Sequence, residues 1–203
     1  MMDLSQYHAL IFDMDGTLID SMPAHVEAWR KTCEQYEIPF DANWFYALGG
    51  SPTIKTAQAI NHQWEQHFDP QELADTKCQY FEDLDFKGEV IPETYQLLMA
   101  YKDTKKIAVG TGCRLMNAEP LLTETGIYPH LDALVTADDV ENHKPDPDTF
   151  LEAAKRVGIA PAQCLVFEDT LLGQQAALAA GMDCMMIEDG KLGALVKAPR
   201  GAE

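Results

Sequence analysis

The sequence predicts an α/β fold: a doubly wound, mostly parallel core sheet with an inserted α-helical cap. Three observations carry this. A short apolar run, Ala9 to Phe12, leads straight into Asp13-Met14-Asp15-Gly16-Thr17, as a buried strand does when its C-terminal end delivers polar groups into a tight turn. Residues from about 21 to 84 carry helical spacing with no β-rich run between. From about Pro92 onward, helical stretches alternate with short β-rich runs, the pattern of a parallel sheet covered on both faces.

Taken in order, the opening strand is followed by a helix over Ser21 to Tyr36, with Val26, Trp29 and Cys33 at helical spacing, Pro23 in its first turn and Ile38-Pro39 as its stop. A short helix from Asp41 to Leu48 ends at Gly49-Gly50. A third starts at Ser51-Pro52 and runs through Ile60 to about Gln66, and a fourth opens at Asp69-Pro70 and carries Leu73, Lys77, Tyr80, Phe81 and Leu84. The second half is expected to place strands at Ile107 to Gly110, Ala133 to Thr136, Leu165 to Phe167 and Cys184 to Ile187. Helices are expected at Thr94 to Tyr101, Glu119 to Thr125, Pro147 to Val157 and Gly173 to Ala180, with Gly126, Gly158 and Gly181 at their C-terminal ends. The tail from Gly190 is left unassigned. The expected organisation is a core of residues 1–18 and 86–203 and a cap of residues 19–85. Connectors near Gly16 to Met22 and Asp85 to Pro92 would act as the hinge.

Composition limits the chemistry. The 203 residues suffice for one core of ordinary size plus a small insert. A formal charge of -18, with 15 Lys and Arg against 33 Asp and Glu, argues against nucleic-acid or anionic-membrane partners. It also means that an anionic substrate requires a local cation. No apolar run reaches the length of a membrane span and no secretory signal precedes the first strand, so a cytoplasmic location is expected. The five cysteines are widely spaced without a Cys-x-x-Cys pair, and read as reduced thiols, Cys113 among them as a neutral packed residue. Nothing declares a partner surface, and a monomer is expected.

The strand ends carry polar residues of a particular kind. Alone, the Asp13 to Thr17 stretch reads equally as an acidic turn capping a strand. Yet Thr111-Gly112 follows the next strand, Asn142-His143-Lys144-Pro145 follows the third, and Glu168-Asp169 follows the fourth. Parallel strands would gather Asp13, Asp15, Glu168 and Asp169 in one crevice beside Thr111 and Lys144. Carboxylates this close stay ionised only with a cation among them, and oxygen ligands without His or Cys point to a hard ion, Mg2+.

In order and spacing, these motifs resemble those of the haloacid dehalogenase superfamily, most closely its β-phosphoglucomutase-like group with a Rossmann-like core and a helical cap of the C1 type. The resemblance covers nearly the whole chain. It implies that Asp13 attacks phosphorus to give an aspartyl phosphate and that Asp15 serves as acid and then base. It implies that Lys144, Thr111 and the N–H groups of Met14, Asp15 and Gly112 hold the phosphoryl oxygens. Mg2+ would be held by Asp13, Asp169 and the Asp15 carbonyl, with Glu168 beside them. No Walker-type loop is present, which argues against a P-loop enzyme.

For the cap, the resemblance brings His25 and Trp29 to the border of the site. His25 is equally readable as a partly buried helix residue. The segment Leu48 to Pro52, with Gly50 and Ser51, is similar to a sugar-contacting loop. Lys77 matches a cap lysine of the mutases, and Lys55 and Arg114 are further candidate substrate contacts. The mutases carry an arginine where Thr53 stands, and that arginine grips a second phosphate. The expected function is therefore a Mg2+-dependent phosphatase for a small sugar monophosphate. The Gly-Ser-Pro-Thr loop and the His-Lys-Pro-Asp-Pro-Asp-Thr-Phe segment are most similar to a bacterial branch acting on fructose 1-phosphate. The alternatives are a β-phosphoglucomutase, a phosphoglycolate phosphatase, and a binding protein on a retired phosphatase fold.

Overall fold

The computed structural model describes residues 3–199; the remainder of the predicted core segments, residues 1–2 and 200–203, lies outside them. Strand β1 (Ala9–Phe12) is followed by four helices, α1 (Met22–Gln35), α2 (Ala42–Ala47), α3 (Thr53–Gln63) and α4 (Pro70–Glu82). After these come α5 (Pro92–Tyr101), β2 (Lys106–Gly110), α6 (Leu115–Glu124), β3 (Ala133–Val135), α7 (Asp148–Val157), β4 (Cys164–Glu168), α8 (Leu171–Ala179), β5 (Asp183–Glu188) and β6 (Lys191–Val196).

The strands form one sheet in the order β3-β2-β1-β4-β5-β6. The first five are parallel and β6 is antiparallel to β5. Side chains alternate across each strand: Leu10, Phe12, Val109 and Phe167 enter one apolar layer, while Ala9, Ile11, Ala108 and Val166 enter the other. With both faces covered, β1 is buried at every position. The helical block packs around a core of its own, which includes Trp29, Cys33, Phe45, Ile60 and Leu73. Its two connectors run side by side: Asp20 N–H donates to the Glu89 carbonyl and Ile91 N–H to the Leu18 carbonyl, both at 2.8 Å.

Two elements depart from expectation. The unassigned tail contains β6, an exposed edge strand whose glycine and half-solvated face hide it from a search for apolar runs. Its signal was the Asp189-Gly190 turn, where both residues have positive φ (49° and 71°), as a tight hairpin between twisted strands requires. Helix α6 begins at Leu115, four residues before the expected Glu119, and so takes Pro120 into its interior. Its start is set by a distant residue, since Asp138 Oδ2 accepts from Leu115 N–H at 2.8 Å.

Candidate active site

The register of the central strands assembles the site. Phe12 pairs with Val109 on one side and Phe167 on the other, so Asp13, Thr111 and Glu168 emerge at neighbouring strand ends. The backbone leaves donors there: the N–H groups of Met14, Asp15 and Gly112 have no acceptor among the described residues. The Thr111 hydroxyl accepts from Cys113 N–H at 3.0 Å, which leaves its own proton to donate.

Lys144 is buried between two carboxylates, donating to Asp13 Oδ1 at 2.5 Å and Glu168 Oε1 at 3.2 Å. Burial disfavours its charge, but Asp13 and Glu168 hold its pKa above the ordinary lysine value. Burial drives the Asp13 carboxyl well above the usual range, with Lys144 opposing and Glu168 and Asp169 adding to the rise. Burial and the Glu168 charge likewise raise Asp169 to about 7.

Asp15 is fixed differently. Its Oδ1 accepts from Ser21 Oγ at 2.5 Å and stands 3.0 Å from His25 Nε2, both residues belonging to the start of the helical block. Burial pushes the Asp15 carboxyl up, but His25, Ser21 and Lys77 together bring it below the ordinary value. Lys77 Nζ lies 2.7 Å from His25 Nδ1 and the imidazole stacks on Phe81 at 4.3 Å between centroids. Burial and the Lys77 charge lower the His25 pKa, so the ring is neutral, with Nε2–H donating to Asp15 and Nδ1 accepting from Lys77.

Between these groups and the helical block lies a cavity of about 50 Å3, with Asp13, Asp15, Thr111 and Gly112 on its floor. Its walls are largely apolar, formed by Met22, Val26, Trp29, Phe45 and Leu48, with His25, Ser51, Thr53 and Lys77 as polar points. The helical block thus covers the sheet edge at this site.

The family model for haloacid dehalogenase-like hydrolases matches residues 10–187. The chain belongs to this family. It is 42% identical over 180 residues to "Fructose-1-phosphate phosphatase YqaB" of Escherichia coli (strain K12), covering 89% of this chain and 96% of that protein. It is 31% identical over 191 residues to "Beta-phosphoglucomutase" of Bacillus subtilis (strain 168), covering 90% and 84% of the two chains. The crystal structure of beta-phosphoglucomutase from Clostridium difficile superposes with a TM-score of 0.80 at 26% identity, over 90% of this chain and 85% of that one.

This haloacid dehalogenase-like hydrolase gathers most of the residues singled out in its sequence. Carboxylate oxygens of Asp13, Glu168 and Asp169 lie within 4.8 Å of one another. Three carboxylates against one ammonium leave negative charge that a hard divalent cation would balance. The Asp15 carboxylate, expected in this set, is instead taken by Ser21 and His25, while its carbonyl accepts no hydrogen bond among the described residues. Gly50 and Ser51 line the cavity as expected. Lys55 and Arg114 do not. Lys55 is exposed, and Arg114 instead bridges Asp75 of α4 and Asp138, each at 3.4 Å. Cys113 is a neutral thiol, its pKa pushed up by burial and the Asp15 charge. Three residues escaped sequence reasoning. Ser21, expected only as the start of a helix, donates to Asp15, Thr17 donates to Asp169 Oδ1 at 3.2 Å, and Thr170 contacts Glu168. Of the three, Thr17 has its partner farthest away in the chain.

Proposed function

We propose that this protein is a Mg2+-dependent phosphatase of a small sugar monophosphate, similar in chemistry to fructose 1-phosphate. Residues 1–18 and 86–203 are the catalytic core and residues 19–85 a cap, acting in a monomer in the cytoplasm. The observation that carries the reading is the cavity in which a cap with one lining ammonium, Lys77, meets the floor of Asp13, Asp15, Thr111 and Gly112. Two relatives that match along most of the chain act on phosphorylated sugars by their names.

Asp13 is the nucleophile. Its Oδ1 is held by Lys144, and Oδ2, with no hydrogen bond among the described residues, attacks phosphorus. The P–O bond to the sugar breaks, and the leaving oxygen takes a proton from Asp15. Water then attacks the aspartyl phosphate, Asp15 accepts its proton, and the Asp13–phosphorus bond breaks to release phosphate. His25 and Ser21 hold Asp15 as the carboxylate that the second step needs. A phosphate dianion bound beside it favours the protonated form used in the first. Lys144, Thr111 and the N–H groups of Met14, Asp15 and Gly112 spread the charge on the phosphoryl oxygens. Asp13, Asp169 and the Asp15 carbonyl, with Glu168 beside them, would hold Mg2+, which supplies Lewis-acid stabilisation of that charge. In the cap, His25, Gly50, Ser51 and Lys77 border the sugar.

The same cavity disfavours the mutase alternative. A mutase must bind a second phosphate, and Thr53 stands in the wall while Arg114 is engaged elsewhere. The test is phosphate release from a panel of hexose and pentose monophosphates, phosphoglycolate and sugar bisphosphates, with Mg2+ and with EDTA. Metal-dependent release that peaks on a ketose or hexose monophosphate is expected. Isomerisation of glucose 1-phosphate faster than phosphate release would overturn the reading.

A further inference from the structure

Thr170 stands where three parts of the site meet. Its Oγ1 donates to Glu168 Oε1 at 2.9 Å and its N–H donates to Glu168 Oε2 at 3.2 Å. The same Oγ1 accepts from Gly173 N–H at 3.1 Å, which caps α8. Glu168 is fully buried, and it packs so closely on the first turn of α8 that a side chain at Gly173 would overlap its carboxylate. Thr170 also faces the cap, with its hydroxyl and its methyl both toward Gly50. A Cβ on Gly50 would lie 3.1 Å from Thr170 Oγ1 and 3.2 Å from its Cγ2 methyl. The Gly50 carbonyl is also 2.9 Å from where a Cβ on Gly112 would start. The cap loop is thus wedged between the loop after β2 and the loop after β4.

We propose that Thr170 is a positioning residue with two separable roles. Its hydroxyl orients Glu168 toward the cation site, and its methyl is the surface on which Gly50 lands when the cap closes. The inference rests on the phosphatase reading, because it takes the carboxylate cluster as the metal site. Glu168 Oε1 is shared between Thr170 and Lys144. Without the hydroxyl, the carboxylate is free to turn toward the ammonium and away from Asp13 and Asp169. Without the methyl, the cap loop loses a contact present only in the closed state.

Two substitutions divide the roles. Thr170→Val keeps the methyl and removes the hydroxyl; Thr170→Ser does the reverse. The first readout is Mn2+ binding to the substrate-free protein, followed by the electron paramagnetic resonance signal of the free ion. The second is KM for the best substrate of the panel at saturating metal. Thr170→Val is expected to weaken Mn2+ binding about tenfold, as the loss of a ligand-orienting partner does. Thr170→Ser is expected to keep Mn2+ affinity and raise KM about threefold, the scale of one lost apolar contact. Mn2+ bound as tightly by folded Thr170→Val as by the unmodified protein would overturn the first role, and an unchanged KM in Thr170→Ser the second. The Ser variant retains the helix cap. If the Val chain does not fold by circular dichroism, weakened Mn2+ binding by Thr170→Ser overturns the hydroxyl's role and retained binding supports it. Failure of the unmodified protein to bind Mn2+ would overturn the metal-site reading itself.

Discussion

Lys77 Nζ stands 2.7 Å from Nδ1 of His25. The opposite nitrogen of that ring stands 3.0 Å from Asp15 Oδ1, so a line of hydrogen bonds runs from Lys77 on α4 to the proposed acid–base group, Asp15. It requires a neutral His25, and it ties the state of Asp15 to a lysine of the helical block.

That line predicts a pH dependence. The folded-state pKa of His25 is lowered below 6.5. Its neutral form is therefore retained until the pH falls through that lowered value, where the imidazolium faces the Lys77 ammonium and the line breaks. The associated stability is fully present above about 6.5 and is lost on acidification. The kcat/KM profile should show an acidic limb from this step, absent in His25→Gln. His25→Gln itself should lower kcat/KM about tenfold to a hundredfold at neutral pH. An unchanged limb in that variant would assign it to another group.

Asp13→Asn removes the proposed nucleophile. Turnover should fall at least about a thousandfold, with the fold retained in circular dichroism. Acid-quenched protein incubated with substrate should carry acyl-phosphate label in the unmodified chain and none in the variant.

Metal dependence should itself depend on pH. Asp169 lies near 7 before a cation binds, so below that value a proton must leave before the ion is held. The half-saturating Mg2+ concentration should rise as pH falls from 8 to 6, by up to about tenfold per unit for one proton released. Mg2+ titrations at three pH values decide this, and a constant value would remove Asp169 from the site.

Thr53→Arg would place a cation in the cavity wall. It should strengthen binding of a sugar bisphosphate about tenfold or more, the worth of a charge-assisted pair in a sheltered site. Product inhibition by bisphosphates, compared before and after the substitution, measures it.

At the far end of β5, Asp183 is buried and accepts from Tyr7 Oη at 2.7 Å, Lys197 Nζ at 2.8 Å and Ala198 N–H at 3.0 Å. Burial raises its pKa, but these donors bring it below 3.8. The associated stability is present above about pH 3.8 and is lost as pH falls through the lower folded value. Asp183→Asn should destabilise by about 2 kcal/mol at neutral pH, read by urea melts, with kinetics unchanged.

Much of this was legible in the chain because the information is local. The strand ahead of Asp13 is a four-residue apolar run, and buried parallel strands need no partner to be recognised. The prolines and glycines that bound the cap helices act within a turn of their own position; Asp41 and Asp69, for example, cap α2 and α4 as placed. The residue types at the strand ends, with their order and spacing, were enough to name the chemistry. Edge strand β6 escaped because half its surface is solvated, and the start of α6 because its cap, Asp138, is distant in sequence.

Sequence alone determined the doubly wound core, the helical insert and the carboxylates, hydroxyl and lysine that meet at the strand ends, since propensity, turn chemistry and hydrophobic period are short-range properties. Only the tertiary structure decided which atoms those groups share. It gave the Asp15 carboxylate to Ser21 and His25, turned Arg114 to Asp75 and Asp138, and set Thr170 between Glu168 and Gly50. Such pairings depend on ångström-scale approach between the helical block and the sheet edge, and that approach comes from packing summed over the whole fold rather than from any one segment.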